Sequence, residues 1–329
     1  RAITRDLDWG IPVPHEDANG KVLYVWFDAP IGYISSTIEW ARKNNKDWEP
    51  YWQDLDTELI HFIGKDNIVF HCIIFPCILH ASEKYILPKN VPANEFLNLE
   101  GRKISTSKNW AIWVNDYMKY FPDMQDSLRY VLTTNAPEKK DNDFTWKDFQ
   151  AKNNNELVAI LGNYINRVAV LTQKYYEGVT PKLSNMDKND EDIISKAYLY
   201  PKKVSDSIEN FKFREAVNTM MDLARMGNKY LADSEPWKLI KTSNKEKVET
   251  IINISIQICS ILSVVSEPFL PSASKKLRNQ FNVQNIYWKD FSKEKPLIPV
   301  KIQKSELIFR KIEDDEIDFQ LKKLNDSEK

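Results

Sequence analysis

An α/β layer followed by an all-helical domain is the fold class this sequence predicts. Two apolar runs, residues 22–27 and 59–63, are each followed by helical spacing. That is the pattern of buried strands joined by crossover helices. After Pro137 the texture changes to long stretches with apolar side chains at 3.6-residue spacing and no strand signal.

Taken in order, residues 22–27 read as a strand buried on both faces, and helical spacing runs from about Gly32 to Asn44. Residues 59–63 read as a second buried strand ending at Gly64-Lys65-Asp66. Asp66 fits the N-cap of the apolar helix that follows, which Pro76 bends or ends. Residues 91–99 give a third strand, turning at Glu100-Gly101 into a polar loop over 102–109. Two successive strand-to-helix crossovers imply a parallel sheet.

The boundary is expected within residues 135–143. Beyond it, residues 144–176 place Leu157, Ile160, Leu161, Tyr164, Ile165, Val168 and Leu171 at helical spacing. Residues 193–211, 214–231 and 245–265 repeat the pattern, and 268–281 adds a shorter piece, which together make a helix bundle. Residues 313–329 are charged and poor in apolar side chains, either a surface helix or a linker.

Bulk properties exclude several classes. The 329 residues hold 46 basic and 47 acidic side chains, so no overall basic balance signals nucleic acid, although a basic stripe on one face would not show in the total. Cys72, Cys77 and Cys259 are too few and too irregular for a disulfide framework, and a reducing, cytoplasmic compartment is the plain reading. Four histidines without an HExxH pattern give no visible metal site. The most apolar window, residues 251–265, is interrupted by Asn253, Ser255, Gln257, Ser260 and Ser263, so no membrane partner is expected. The chain begins at Arg1 without a signal pattern and reads as a segment of a longer protein.

Gly101-Arg102-Lys103-Ile104-Ser105-Thr106-Ser107-Lys108 is the stretch richest in chemistry. A glycine hinge, three cations and three hydroxyls after a strand suit phosphate groups, because lysine brings a mobile point charge and hydroxyls bring hydrogen bonds. The plain alternative is a solvated surface loop.

Upstream stand Tyr24-Val25-Trp26-Phe27-Asp28-Ala29-Pro30-Ile31-Gly32-Tyr33, then His61-Phe62-Ile63-Gly64-Lys65-Asp66, then Val69-Phe70-His71. In this order, and with residues 103–107, these segments resemble the signature segments of the methionyl-tRNA synthetase family, class I aminoacyl-tRNA synthetases. Residues 103–107 resemble the family's Lys-Met-Ser-Lys-Ser loop, and Asn163, Arg167 and Glu235-Pro236-Trp237 resemble its anticodon-binding helices. The resemblance covers essentially the whole chain.

The resemblance implies the second half of a Rossmann-like parallel-sheet catalytic domain over residues 1–137. A helix-bundle anticodon-binding domain over 138–300 and a charged tail or linker over 301–329 follow. It implies activation of methionine with ATP to methionyl-adenylate, then transfer to initiator and elongator methionine tRNA. Catalysis should come from positioning the carboxylate in line with the α-phosphate and from stabilising charge on the departing pyrophosphate. Trp26, Tyr33, His71 and Phe75 would line the methionine pocket, where a thioether packs well against aromatic edges. His71 and Phe75, four apart on a helix, share a face. Gly64 and Asp66 would meet the adenylate beyond a strand's C-terminal end. Lys103, Thr106, Ser107 and Lys108 would face phosphates, with Mg²⁺ arriving on ATP as part of the substrate. Asn163 and Arg167, on one helix face, and Trp237 would read and stack unpaired anticodon bases.

Taken alone, Trp26 and His71 read more readily as core residues, Asn163 as a close helix contact and Trp237 as a lid on the core, and Asp66 reads as a simple helix cap. One departure stands out: Thr106 occupies the place of the family's second lysine. Lys108 or Arg102 is expected to supply the missing charge. The family's His-Ile-Gly-His segment and zinc-knuckle module are absent from the sequence, so zinc is expected only upstream, and the segment alone is expected to be inactive. A homodimer would need a module beyond Lys329. Two other readings remain open: a non-enzymatic tRNA-binding helical module, and a related class I synthetase for another apolar amino acid.

Overall fold

The computed structural model describes residues 3–242, 244–291 and 299–327. The chain divides into two compact units. One comprises residues 1–96 with 137–141; the other comprises 97–136 with 142–329. The division differs from the expected boundary at 135–143, because the chain enters the second unit at Leu97 and returns briefly to the first. Lys65 explains the return: its ammonium pairs with Glu95 at 2.5 Å and Asp141 at 2.7 Å, and the Phe96 amide donates to Asp141. Lys65 also lies over the Phe96 ring at 4.3 Å.

In the first unit β1 (Thr4–Arg5) pairs antiparallel with β2 (Val22–Leu23). The strand expected over residues 22–27 stops there, and α1 (Val25–Asp28) takes up the rest. A strand buried on both faces needs neighbours, whereas Val25 is 57% exposed. α2 (Ile31–Asn44) follows as expected, ending at left-handed Asn45, and α3 (Glu49–Gln53) adds a short turn. β3 (Leu59–Ile60) and β4 (Ile63–Gly64) realise the second predicted strand. They pair in parallel with β5 (Pro88–Asn90) and β6 (Ala93–Asn94), which begins the third.

The crossover between them is a π-helical stretch, Phe70–Ile74, running into α4 (Phe75–Ser82). Pro76 sits in the first turn of α4, where its ring would crowd the carbonyl four residues back and where it offers no N–H. Widening the preceding turn, with the Phe75 amide bonding to the Phe70 carbonyl, accommodates it without ending the helix. Ile34, Trp52, Phe75 and Leu79 form this unit's core.

The second unit opens with a three-stranded sheet. β7 (Leu97–Leu99) lies between antiparallel β8 (Arg102–Lys103) and parallel β9 (Asn142–Phe144). α5 (Val114–Tyr120) and α6 (Gln125–Thr134) come between β8 and β9, and α7 (Trp146–Lys152) comes next. The long helix expected to Tyr176 is present from Trp146 but contains a π-helical stretch, Asn153–Gly162, before α8 (Asn163–Tyr176). Its displaced carbonyls take side-chain donors: Asn163 caps Ala159 and Asn228 caps Ile160.

The helix expected over 193–211 is two helices, α9 (Lys188–Ala197) and α10 (Tyr200–Glu209), because Pro201 starts a new one. α11 (Phe213–Ser234), α12 (Pro236–Leu239), α13 (Lys245–Val265) and α14 (Pro271–Gln280) complete the bundle. α13 is long and apolar enough to cross a membrane, but 94% of its most apolar window is buried within the protein. Its polar side chains are bonded inside: Asn253 to the Pro181 carbonyl and Gln257 to Asn253 and Tyr198.

The tail is not a free linker. α15 (Asp314–Asp326) buries Ile317, Gln320 and Leu324 in the second unit, and the Arg310–Glu316 ion pair at 2.8 Å fastens its start.

Candidate functional site

In the first unit the fold brings Tyr33, His71 and Phe75 together. His71 Nδ1 lies 3.1 Å from the Asn67 carbonyl, which can only accept, so Nδ1 carries the ring hydrogen. Nε2 is then an acceptor, and the Tyr33 hydroxyl donates to it at 3.0 Å. Tyr33 meets Phe75 edge-on at 6.2 Å between centroids, and both rings adjoin His61 at 5.7 Å. His71 and Phe75 are buried, whereas Tyr33 remains 46% exposed, with one face open to solvent.

Beside them lies an open cleft of about 210 Å³, lined by Tyr33, Trp52, Leu59, Ile60, His61, Phe62 and Ile63. Burial, and then the neighbouring His71, push the His61 pKa below its ordinary value of 6.5. The neutral form of His61 is thereby favoured, and its buried Nε2 has no partner among the described residues. Sequence reasoning quoted His61 only as part of a motif and did not single out Trp52, whose indole N–H donates to Thr37 at 2.9 Å. The side chain of Trp26, the fourth expected pocket residue, lies outside the described residues.

Asp66 is not a helix cap. Gly64 holds the N-cap position of a short 3-10 turn, Lys65–Asn67, and Asp66 sits inside that turn, exposed. A Cβ on Gly64 would approach the Asp66 carboxylate to 3.0 Å, so the glycine makes room for a carboxylate folded back on its own backbone. The cap expected of Asp66 fails because the helix proper begins later, with Val69 preceding the π stretch.

In the second unit residues 102–110 are a β-hairpin rather than an irregular loop. Glu100 and Gly101, both at positive φ, make the tight turn from β7 into β8. The Gly101 amide donates to Asp143, and the Glu100 carboxylate accepts from the Trp146 amide at 2.7 Å. Ser105 then pairs with Trp110, closing a turn in which the Asn109 amide bonds to the Thr106 carbonyl.

Lys103, Thr106, Ser107 and Lys108 are exposed on this hairpin. Buried Trp110 anchors it through a bond to the Leu99 carbonyl, and Arg102 lies flat on the Trp110 ring at 4.0 Å. That contact gives Arg102 a place on the hairpin stem, while Lys108 lies in the turn beside Thr106.

Asn163, Arg167 and Trp237 also come together. Arg167 stacks over the Trp237 ring at 5.1 Å, and Asn163 stands one turn back on the same face of α8, exposed. Trp237 is half-buried, its body packed on the core, and Pro236 starts its helix. Glu235, in the left-handed region, aims the connection between α11 and α12. Among the described residues, no group of three or more His, Cys, Asp or Glu side chains is placed to hold a metal ion.

Residues 1–169 match the family described as tRNA synthetases class I (M), and residues 180–328 match the anticodon binding domain of methionyl tRNA ligase. The methionine–tRNA ligase of Christiangramia forsetii is 61% identical over 332 residues, covering 98% of this chain and 48% of that protein. That of Flavobacterium johnsoniae is 56% identical over 353 residues, covering 98% and 50%. The chain thus spans about half the length of the curated relatives it matches. Among solved structures, Mycobacterium tuberculosis methionyl-tRNA synthetase in complex with methionyl-adenylate superposes with a TM-score of 0.78 at 21% identity. That match covers 94% of this chain and 60% of that one, a likeness of fold.

Proposed function

The chain belongs to the class I tRNA synthetases of the methionyl type, and from that membership we propose that it is a part of a methionine–tRNA ligase. In this reading the whole enzyme forms methionyl-adenylate from methionine and ATP, then passes methionine to its tRNA. The observation that carries it is the hydrogen-bonded Tyr33–His71 pair walled by Phe75 and His61.

A methionine side chain is an unbranched thioether, a weak acceptor that favours aromatic edges. The Tyr33 hydroxyl is committed to His71, so its ring is held in one orientation while its exposed face stays free for the thioether. The His71 ring is held from both sides, by the Asn67 carbonyl at Nδ1 and the Tyr33 hydroxyl at Nε2.

Lys103 and Lys108 supply the positive charge toward ATP phosphates, with Mg²⁺ as the substrate ion. The hairpin holds them on a short, anchored stem. Lys108 stands two residues beyond Thr106 in the same turn, which favours it over Arg102 as the replacement for the family's second lysine. Asn163, Arg167 and Trp237 present an amide, a guanidinium and an aromatic ring to an unstacked base, with Arg167 set over the Trp237 ring. Cytoplasmic residence fits the three free cysteines, two of them exposed.

The test is amino-acid-dependent ATP–pyrophosphate exchange by the full-length enzyme. Exchange with methionine and not with leucine supports the reading. Equal exchange with both, or exchange with leucine alone, points to a synthetase for another apolar amino acid.

A further inference from the structure

The widened stretch before α8, Asn153–Gly162, is fastened at both ends, and the fastening at its far end comes from another helix. At its start, buried Asn153 accepts from the Ser127 hydroxyl at 2.8 Å and donates to the Arg310 carbonyl at 2.9 Å. Asn154 exchanges two bonds with Ile312, donating to its carbonyl at 2.8 Å and accepting from its amide at 2.9 Å. With the start held, a change of winding in this stretch is felt at its junction with α8, where Asn163 stands.

At that junction the bonding skips a carbonyl. The Asn163 backbone amide donates to the Val158 carbonyl, five residues back, and to that of Ile160, three back, passing over Ala159. The bypassed Ala159 carbonyl instead takes the Asn163 side chain, with Nδ2 at 3.2 Å. A carbonyl can only accept, so this bond sets which end of the Asn163 side-chain amide faces the helix. The Ile160 carbonyl takes a second donor from α11: Asn228 Nδ2 at 2.8 Å, which also reaches the Ala224 carbonyl at 3.2 Å. Gly162 belongs to the same arrangement. A Cβ there would stand 3.1 Å from the Leu157 carbonyl, a contact tighter than a side-chain carbon normally makes.

We propose that Asn228 is a positioning residue for base reading. It shares the Ile160 carbonyl with the Asn163 backbone amide and so fixes the last wide turn, which in turn fixes how Asn163 presents its side chain. Without the Asn228 donor that carbonyl keeps only the three-back bond, whose geometry is poorer, and the turn can rewind to the ordinary four-back pattern. Rewinding gives the Ala159 carbonyl to the Asn163 backbone amide and releases the side chain from it. The body of α8 stays in place, because Tyr164, Ile165 and Val168 are buried in the bundle, whereas exposed Asn163 is free to turn. This role rests on the base-reading assignment of Asn163 made above.

A double-mutant cycle tests it, by filter binding of this chain to methionine tRNA and to the same tRNA with its anticodon replaced, at fixed salt. The readout is the ratio of the two affinities. Asn163→Ala should lower that ratio about tenfold, the scale of one base-edge contact. Asn228→Leu, apolar and of similar size, should lower it to a similar extent and add nothing in an Asn163→Ala background. A merely structural Asn228 would change stability and overall affinity but not the ratio. Should Asn228→Leu not fold, Gly162→Ala, which crowds the same turn from within, is read in the same cycle with the same expectation. A ratio kept in full by these variants, or a loss that adds to that of Asn163→Ala, overturns the proposal and leaves base reading by Asn163 in place. Equal binding of both tRNAs by the unaltered chain fails the base-reading assignment itself, and the role of Asn228 with it.

Discussion

The Arg167 guanidinium lies over the face of Trp237 at 5.1 Å, joining α8 to the short helix that follows α11. A cation over an indole is a preformed clamp for a flat, electron-rich base, since both groups can stack and the guanidinium can also donate at the base edge. Trp237→Ala should lower affinity for methionine tRNA by on the order of 1–3 kcal/mol, the usual worth of a stacked base. On the proposed reading the two side chains would act on the same base, so Arg167→Ala should cost less than additively in the double variant. Filter binding of single and double variants checks this. An unchanged dissociation constant for Trp237→Ala would make the contact purely structural.

Tyr33→Phe in the full-length enzyme removes the hydroxyl that donates to His71 Nε2 and leaves that buried nitrogen unpaired. The penalty is about 1–3 kcal/mol, felt as a higher KM for methionine with little change in the KM for ATP. Steady-state exchange kinetics at varied methionine separate the two. Equal changes in both constants would place Tyr33 outside the methionine pocket.

His61 offers a pH readout. Its folded pKa lies below 6.5, from burial first and His71 second, so the unfolded chain takes up the proton more readily. Stability from a neutral His61 is fully present above pH 6.5 and is lost as pH falls through the folded value. An NMR titration of the His61 ring should give a midpoint below 6.5, and a midpoint at or above 6.5 contradicts the packing described.

The docking of α15 should fail in acid. Arg310 holds the Glu316 carboxyl below its ordinary 4.5, and Lys323 with Lys119 holds Asp116 below 3.8. Both contributions are present above those ordinary values and fade as pH falls through the depressed ones. Amide exchange in residues 314–326 should accelerate on acidification below about 4.5, ahead of α13. Simultaneous loss of both helices would argue against a separately fastened tail.

Gly227→Ala tests the bundle. A Cβ there would lie 2.7 Å from the Tyr164 hydroxyl, whose bond to the Ser255 carbonyl ties α8 to α13. Overpacking of this kind costs about 1–3 kcal/mol, read as a lower denaturant midpoint at unchanged slope. Full stability would mean that Tyr164 is free to move.

The helical half was the more legible in the sequence, because 3.6-residue periodicity survives burial: α11 and α13 run close to where the spacing puts them. What periodicity does not mark is a break with no change in pattern. The division at Pro201 and the π stretch before Asn163 both preserve apolar spacing, so two helices read as one and one helix hid its widened turns.

The strand at residues 22–27 failed for the opposite reason: composition reads burial, but strand pairing depends on partners elsewhere in the chain. Tyr33, His71 and Phe75 were found through motif order and then meet in space. His61 and Trp52 were not singled out, since their roles rest on ring packing across a fold and not on spacing along the chain. The hairpin of residues 102–110 read as an irregular loop because its closing partner, Trp110, looks like an ordinary core residue.

The most direct test of the account is the affinity of this chain for methionine tRNA against the same tRNA with its anticodon replaced, measured at fixed salt. Phosphate contacts alone would bind both equally. Clear preference for the native anticodon, lost in Trp237→Ala, is the expected result. Equal binding of the two tRNAs would contradict the assignment of Asn163, Arg167 and Trp237 as the base-reading face.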